Sequence, residues 1–375
     1  MKVIIVGTGI VGASAAYYLV NQGAEVVMID RPEEGKATSA GAGIVCPWIS
    51  RVEDPHWYAI AKRGAKFYPN LIKQLESDGE ADTGYKIVGA LSVSKDSGEL
   101  DRIEKAVRDK QSDAPELGDV ERLNHEEAKQ KFPPLADDLG AVYVSGAARI
   151  DGRLLRESMK RAAVKNGAQL IEGEASLQFS NQEVTGVRVE GNDIEADKVL
   201  LATGAWAPEL LKPLGIELAI EPQKGQIAHI SLPNQDTTDW PVVLPRTSHY
   251  MLAFDDSRVV AGATRETGSG FDYRLTAGGV QQVLEAALDV APGLEEGTLK
   301  EVRIGFRPMG PDVLPLIGQL DAFTGIHMVN GLGPSGLTMG PYAGKLAAKQ
   351  ILNEDMEIDM SPYHPNRAIS KSVTH

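Results

Sequence analysis

Val3-Ile4-Ile5-Val6-Gly7-Thr8-Gly9-Ile10-Val11-Gly12 opens the chain, and Val26-Val27-Met28-Ile29-Asp30 follows after a helical stretch through Tyr18 and Leu19. The order is buried strand, GxGxxG turn, helix, second strand and terminal acid, all within about 30 residues. This is the sequence form of a dinucleotide-binding βαβ unit. Gly7 permits the tight turn, Gly9 admits a pyrophosphate close to the backbone, and Gly12 lets the helix pack near the strand. The positive end of the helix then faces the phosphates, and Asp30 is placed to accept hydrogen bonds from a ribose.

Outside this unit, bulk properties exclude several functions. The chain has 375 residues, enough for two domains, and a net charge of −14. So acidic a protein, with no basic cluster, is a poor partner for nucleic acid or an anionic membrane surface. Cys46 is the single cysteine, which rules out an internal disulfide and a cysteine-based zinc site; a small residue near the core is its expected role. The seven histidines show no metal-ligand spacing. No apolar run reaches membrane-spanning length, and a strand beginning at Lys2 leaves no room for a cleavable leader. The cytoplasm is the expected compartment, and an oligomer is compatible with the sequence.

Patterning predicts a flexible, small-residue loop over Thr38 to Val45, where backbone must approach a ligand. It predicts helices over Trp57–Leu75, Glu99–Lys110, Gly152–Asn166 and Gly279–Val290, and strands over Gly84–Ser94, Ala141–Ser145, Gln169–Glu172, Val184–Glu190 and Lys198–Ala202. After Pro222 the texture turns to β, with strands near Gly225–Ile230, Val242–Pro245, Tyr250–Phe254, Arg258–Ala263 and Leu299–Phe306. Ile326–Val329 is a last strand. It feeds Gly331-Leu-Gly-Pro-Ser-Gly336 and a helix reaching about Leu352. The tail from Asn353 is expected to fray, and Ser370 to His375 to be disordered. Dinucleotide-type segments at the start, middle and end, with β-rich stretches between, predict two interleaved domains.

Several stretches, in order along nearly the whole chain, carry a family resemblance. They are GTGIVG with Asp30-Arg31, Thr38-Ser39-Ala40-Gly41, Leu201-Ala202-Thr203-Gly204-Ala205-Trp206, Gly225-Gln226, Val260-Ala261-Gly262-Ala263-Thr264, Gly305-Phe306-Arg307-Pro308 with Asp312 and Pro315, and Asn330-Gly331 through Gly336-Leu337-Thr338. The chain resembles the flavoprotein amine oxidoreductases of the D-amino acid oxidase type, which include glycine oxidase, sarcosine oxidase and D-amino acid dehydrogenases. The fold this implies is α/β, with a discontinuous Rossmann-like FAD-binding domain (1–84, 146–221 and 304–365) interleaved with a β-rich α+β substrate domain (85–145 and 222–303). The implied cofactor is FAD. Its expected contacts are Gly7, Gly9, Ile10, Val11, Gly12, Asp30, Arg31, Thr38, Ser39, Ala40, Gly41, Ala175, Thr203, Gly204, Trp206, Arg307, Gly331, Gly333, Pro334, Ser335, Gly336, Leu337 and Thr338. The second glycine-rich turn suits a flavin, because amides and a positive helix end can face the pyrimidine edge of its reduced, anionic form.

In the family, the arginine matching Arg307 pairs with the substrate carboxylate, and a guanidinium can grip a carboxylate with two parallel bonds. A tyrosine matching Tyr250 contacts the same carboxylate; His249 is expected on the opposite strand face. The resemblance also has departures. Pro334 stands where glycine oxidase has a second arginine, and Leu332 replaces a polar or aromatic residue, so glycine itself fits less well. The cysteine that tethers flavin in sarcosine oxidase has no counterpart near Arg307, so FAD is expected to be non-covalent. The implied activity is oxidation of the C–N bond of a small D-amino acid, glycine derivative or N-alkyl amino acid, with oxygen or another acceptor taking the electrons. Two alternatives are a dehydrogenase serving a quinone or carrier, and a non-catalytic flavin subunit of an amine dehydrogenase.

Overall fold

A computed structural model describes residues 1–371. The opening βαβ unit forms as read: strand Lys2–Val6, helix Ile10–Asn21, strand Glu25–Asp30. Gly7 takes a φ of 90°. A Cβ on Gly12 would fall well inside van der Waals contact of the Gly7 carbonyl oxygen, so no larger residue could sit there. Nine of the helix's twelve residues are buried, because the helices Gly336–Ile351 and Gly152–Lys165 and the strands pack around it.

The two strands belong to a six-stranded sheet ordered Leu316–Gln319, Ile326–Asn330, Lys198–Leu201, Lys2–Val6, Glu25–Asp30, Gln169–Glu172. All pairs are parallel except the edge pair Leu316–Gln319 with Ile326–Asn330. Strands from three distant parts of the chain thus share one core, as the interleaved reading requires. The second sheet has eight strands, in the order Thr298–Met309, Glu221–Ser231, Arg258–Gly262, Tyr250–Phe254, Val242–Pro245, Ala90–Ser94, Gly140–Val144, Val120–Leu123. It is antiparallel apart from one central pair. The fold is therefore a discontinuous Rossmann-like domain with a separate β-rich domain. Thr298–Met309 runs unbroken in the second sheet, across the boundary drawn between 303 and 304.

Several expectations need correction. Thr38 to Val45 is not one loop: Ala37–Ala40 makes a helical turn and Ile44–Val45 a short strand paired with Ala148–Arg149. Gly84–Ser94 is broken at Val88-Gly89, which sends Lys86–Ile87 to a small sheet and Ala90–Ser94 to the large one. The tail past Asn353 is held. Tyr363 is buried and its hydroxyl donates to the His56 carbonyl at 2.7 Å, while Arg367 Nη2 donates to the Leu314 carbonyl at 2.6 Å. Ile369–Lys371 adds a strand to Ile216–Leu218, so Ser370 is ordered by pairing; residues 372–375 lie outside the described residues.

Candidate active site

Parallel strands end together, and a ligand cleft forms beyond their carboxyl ends. Here Gly7, Asp30, Thr203 and Asn330 follow or end the four adjoining strands. Asn330 ties two of the loops together: its Nδ2 donates to the Gly204 carbonyl at 2.9 Å and its Oδ1 accepts from the Gly331 amide at 2.8 Å. A cavity of about 840 Å³ runs from these ends to the inner face of the large sheet, near the upper end of the roughly 300–1,000 Å³ of ligand sites.

Most of the expected cofactor residues line it: Gly7, Gly9, Ile10, Val11, Asp30, Arg31, Thr38, Ala40, Gly41, Ala175, Thr203, Gly204, Trp206, Arg307, Gly333, Pro334, Ser335, Gly336, Leu337 and Thr338. Gly12, Ser39 and Gly331 do not. Gly12 packs on the first turn, Ser39 Oγ accepts from Arg156 at 3.2 Å, and Gly331, with φ of 69°, shapes the second turn.

Two features fit FAD. Both helices that start at this cleft, Ile10–Asn21 and Gly336–Ile351, lack a side-chain cap at their N-cap residues Gly9 and Ser335. Their first-turn amides are therefore largely left for a ligand; among the described side chains only Thr38 accepts from one of them, the Ile10 amide, at 3.0 Å. Thr203 Oγ1 is buried in the lining with no hydrogen-bond partner among the described residues. Asp30, at the ribose position, meanwhile holds Thr8 Oγ1 at 2.7 Å and Lys36 Nζ at 2.9 Å.

At the other end stand Arg307 and Tyr250, brought together from strands more than 50 residues apart. Arg307 Nη1 donates to Gln223 Oε1 at 3.2 Å and to the Thr264 carbonyl at 3.0 Å, and the guanidinium also meets the Tyr250 hydroxyl. Its guanidinium lies over Gly225, where a Cβ would approach Nη2 to 2.7 Å. The Tyr250 hydroxyl lies likewise over its cross-strand partner Gly262, where a Cβ would come within 2.7 Å. Burial pushes the Tyr250 phenol above its usual range, opposed by Arg307, which also hydrogen-bonds it, and by Arg265. Tyr250 thus stays a neutral hydroxyl that can donate.

The sequence reading missed Arg265, which lines the cavity, and expected His249 to face away; His249 borders this cavity and also a small one against the helix Ala277–Val290. His249 precedes its strand, so strand alternation does not govern it. Burial, then Arg265, lower its pKa and keep it neutral. Arg265 directly follows the matched segment ending at Thr264, and that adjacency is the one signal the sequence holds. Cys46 is buried and also borders the cavity, and burial pushes its thiol up to about 12, an inert form. No group of His, Cys, Asp and Glu suited to a metal occurs among the described residues, and no described helix is long and apolar enough to cross a membrane.

Comparison with known proteins agrees with this geometry. The family described as "FAD dependent oxidoreductase" matches residues 2–350. The uncharacterized oxidoreductase YurR of Bacillus subtilis is 50% identical, over 98% of this chain and 99% of its own. Glycine oxidase of Pseudomonas aeruginosa is 31% identical, over 97% and 98%. The crystal structure of iminodiacetate oxidase from Chelativorans sp. BNC1 superposes with a TM-score of 0.94 at 49% identity, covering 97% of this chain and 98% of that one. The chain belongs to the FAD-dependent oxidoreductases of the D-amino acid oxidase and glycine oxidase superfamily, enzymes that oxidise C–N bonds by hydride transfer to flavin.

Proposed function

We propose that the protein oxidises the C–N bond of a small N-substituted glycine or related amino acid, with Arg307 and Tyr250 holding the carboxylate. The observation that carries this reading is the pair of side chains seated over Gly225 and Gly262 at one end of the cavity, with no carboxylate paired to Arg307 among the described residues. Similarity to an iminodiacetate oxidase and a glycine oxidase supports an acid with its amine one carbon away.

The first-turn amides of Ile10–Asn21 and Gly336–Ile351 and the orphaned Thr203 hydroxyl would hold FAD, with Asp30 toward its ribose. The bound flavin supplies a two-electron acceptor for hydride. The chain's own residues supply position. Arg307 and the Tyr250 hydroxyl fix the carboxylate, and with it the carbon that loses hydride. Leu332, Leu337, Ile49 and Leu244 in the lining keep that carbon in an apolar setting. Two electrons and one hydrogen leave as hydride, the amine nitrogen loses a proton, and water splits the resulting imine into an oxo acid and an amine. No side chain need act as a strong base if the substrate enters as the neutral amine, so reduction should accelerate as pH rises through the substrate's ammonium pKa.

The test is anaerobic mixing of the yellow enzyme with sarcosine, iminodiacetate, glycine, D-alanine and D-proline, following loss of flavin absorbance. Rapid bleaching by at least one N-substituted glycine is expected. Bleaching by none of the five would reject the reading. Re-mixing the reduced enzyme with oxygen then measures whether oxygen is the acceptor.

A further inference from the structure

Lys224 is fully buried, and the reaction as derived above makes no use of it. On its strand Gly225 borders the cavity with Arg307 lying over it, whereas Lys224 and Gln226 are not in the cavity wall; alternation turns them to the outer side of the sheet. A buried ammonium is costly unless acids meet it. Two do, and both come from one short segment. Lys224 Nζ lies 3.4 Å from Glu266 Oε2 and 3.3 Å from Asp272 Oδ2. The segment from Glu266 to Asp272 is therefore pinned at both ends to the strand that seats Arg307.

The end at Glu266 is the more closely built. Glu266 exchanges backbone hydrogen bonds with Lys224, at 2.9 and 3.3 Å. Its Oε1 accepts from Gln226 Nε2 and from Thr264 Oγ1, each at 2.7 Å. Thr264 is fully buried, and its Oγ1 also accepts from the Gln226 amide at 2.9 Å. One carboxylate thus gathers Lys224, Gln226 and Thr264 behind the cavity wall.

The same stretch sets both acceptors of Arg307 Nη1. One is the Thr264 carbonyl, at 3.0 Å. The other is Gln223 Oε1, at 3.2 Å, and Gln223 Nε2 donates in turn to Thr267 Oγ1 at 3.0 Å, which aims the amide oxygen at the guanidinium. A planar guanidinium gripped at one nitrogen by two fixed acceptors has its plane and direction set. We infer that Glu266, clamped by the buried Lys224, is a positioning residue: it holds Thr264 to Thr267 so that Arg307 meets the substrate carboxylate in a two-pronged geometry. Glu266 acts only through Arg307. This rests on the assignment of Arg307 to that carboxylate.

The test uses the FAD-loaded enzyme and two thioethers that carry no oxidisable amine, (methylthio)acetate and its neutral amide, (methylthio)acetamide. Calorimetry gives the affinity ratio of acid over amide for wild type, E266Q, E266D, T267V and R307M. The ratio should fall on the order of tenfold in E266Q, which removes the charge facing Lys224, and about threefold in T267V, which removes one hydrogen bond. E266D restores the charge and should recover most of the ratio. R307M should lower it furthest. Amide affinity and flavin content should stay near wild type in the Glu266 and Thr267 variants, because Glu266 is partly exposed and Thr267 exposed. Should E266Q fail to load flavin, T267V at the surface decides by the same ratio. An unchanged ratio in E266Q and T267V, with R307M still lowering it, overturns the positioning role alone. So does an E266Q enzyme that binds acid and amide equally more weakly, the mark of a loosened wall and not of a turned guanidinium. If R307M keeps the wild-type ratio, Arg307 is not the anchor, and the role of Glu266 falls with that assignment.

Discussion

Arg307 and Tyr250 occupy space that two missing side chains leave open. Gly225 pairs with Gly305 across the strands while Arg307 pairs with Gln223, so the arginine reaches back diagonally to cover Gly225. Gly225→Ala puts a methyl 2.7 Å from Nη2, the movable end of a long side chain. The sheet should therefore survive and the guanidinium shift. We expect wild-type flavin content and melting temperature with kcat/KM reduced on the order of a hundredfold, the cost of about 1 Å of misplacement. An unchanged kcat/KM would separate the seat from the activity. Arg307→Lys keeps the charge and loses the two-pronged geometry. It should cost about 2–5 kcal/mol in kcat/KM, or roughly 30-fold to several thousand-fold. The informative comparison is sarcosine against dimethylamine: the wild-type preference for the acid should largely vanish, and its persistence would place the carboxylate elsewhere. The chain puts Arg307 and Tyr250 forward because each sits in a matched segment. Their seats could not be read from it, since the contacts come from strand register between segments about 12 to 82 residues apart. Arg265 escaped for the same reason: its place in the cavity lining is a property of the assembled wall.

Among the elements, the two uncapped helix starts matter most. Each follows a strand of the six-stranded sheet through a glycine-rich turn, and each turns its first amides to one cleft. A Cβ on Gly9 would meet only Thr38 Oγ1, at 3.3 Å, so the folded chain has room for a side chain where a pyrophosphate would lie. Gly9→Val should leave the far-ultraviolet circular dichroism unchanged and remove nearly all bound FAD. A fully loaded variant would show that this turn is not the phosphate site. Long periodic segments and the opening βαβ unit were legible because pattern and burial agree in them. Short elements were not. Helix His125–Lys131 was passed over although Asn124 and Glu127 form a capping box, a signal present in the sequence. Strands Ala175–Ser180 and Asn192–Glu195 have one fully buried residue between them and give a weak alternation of apolar residues.

On the scale of the whole molecule, each of the two large sheets buries a histidine. His229 lies between sheet strands at 2% exposure, and His327 on the strand Ile326–Asn330 at 5%. Burial, reinforced by Arg303 and Arg258 and opposed by Glu301, drives the His229 pKa down to about 4. Burial and then Lys198 do the same to His327, also to about 4. In the unfolded chain both should titrate near 6.5. Above that value neither form carries the proton and the histidines do not affect stability. Between about 6.5 and 4 the unfolded state binds protons that the folded state refuses, so stability falls as pH drops through that window. Each histidine should cost about 2 kcal/mol at pH 5. Carboxylates act lower: Glu266, held below the usual range by Gln226, Thr264 and Lys224 against its own burial, loses its contribution only once acid protonates it. Two stages of acid destabilisation should result. The urea midpoint should decline from pH 7 to pH 5, before most carboxylates titrate. In proton spectra, at least two of the seven imidazoles should stay at their neutral shifts down to pH 5. If all seven titrate near 6.5, or if the urea midpoint is flat from pH 7 to pH 5, the buried neutral histidines are not what limits stability in mild acid.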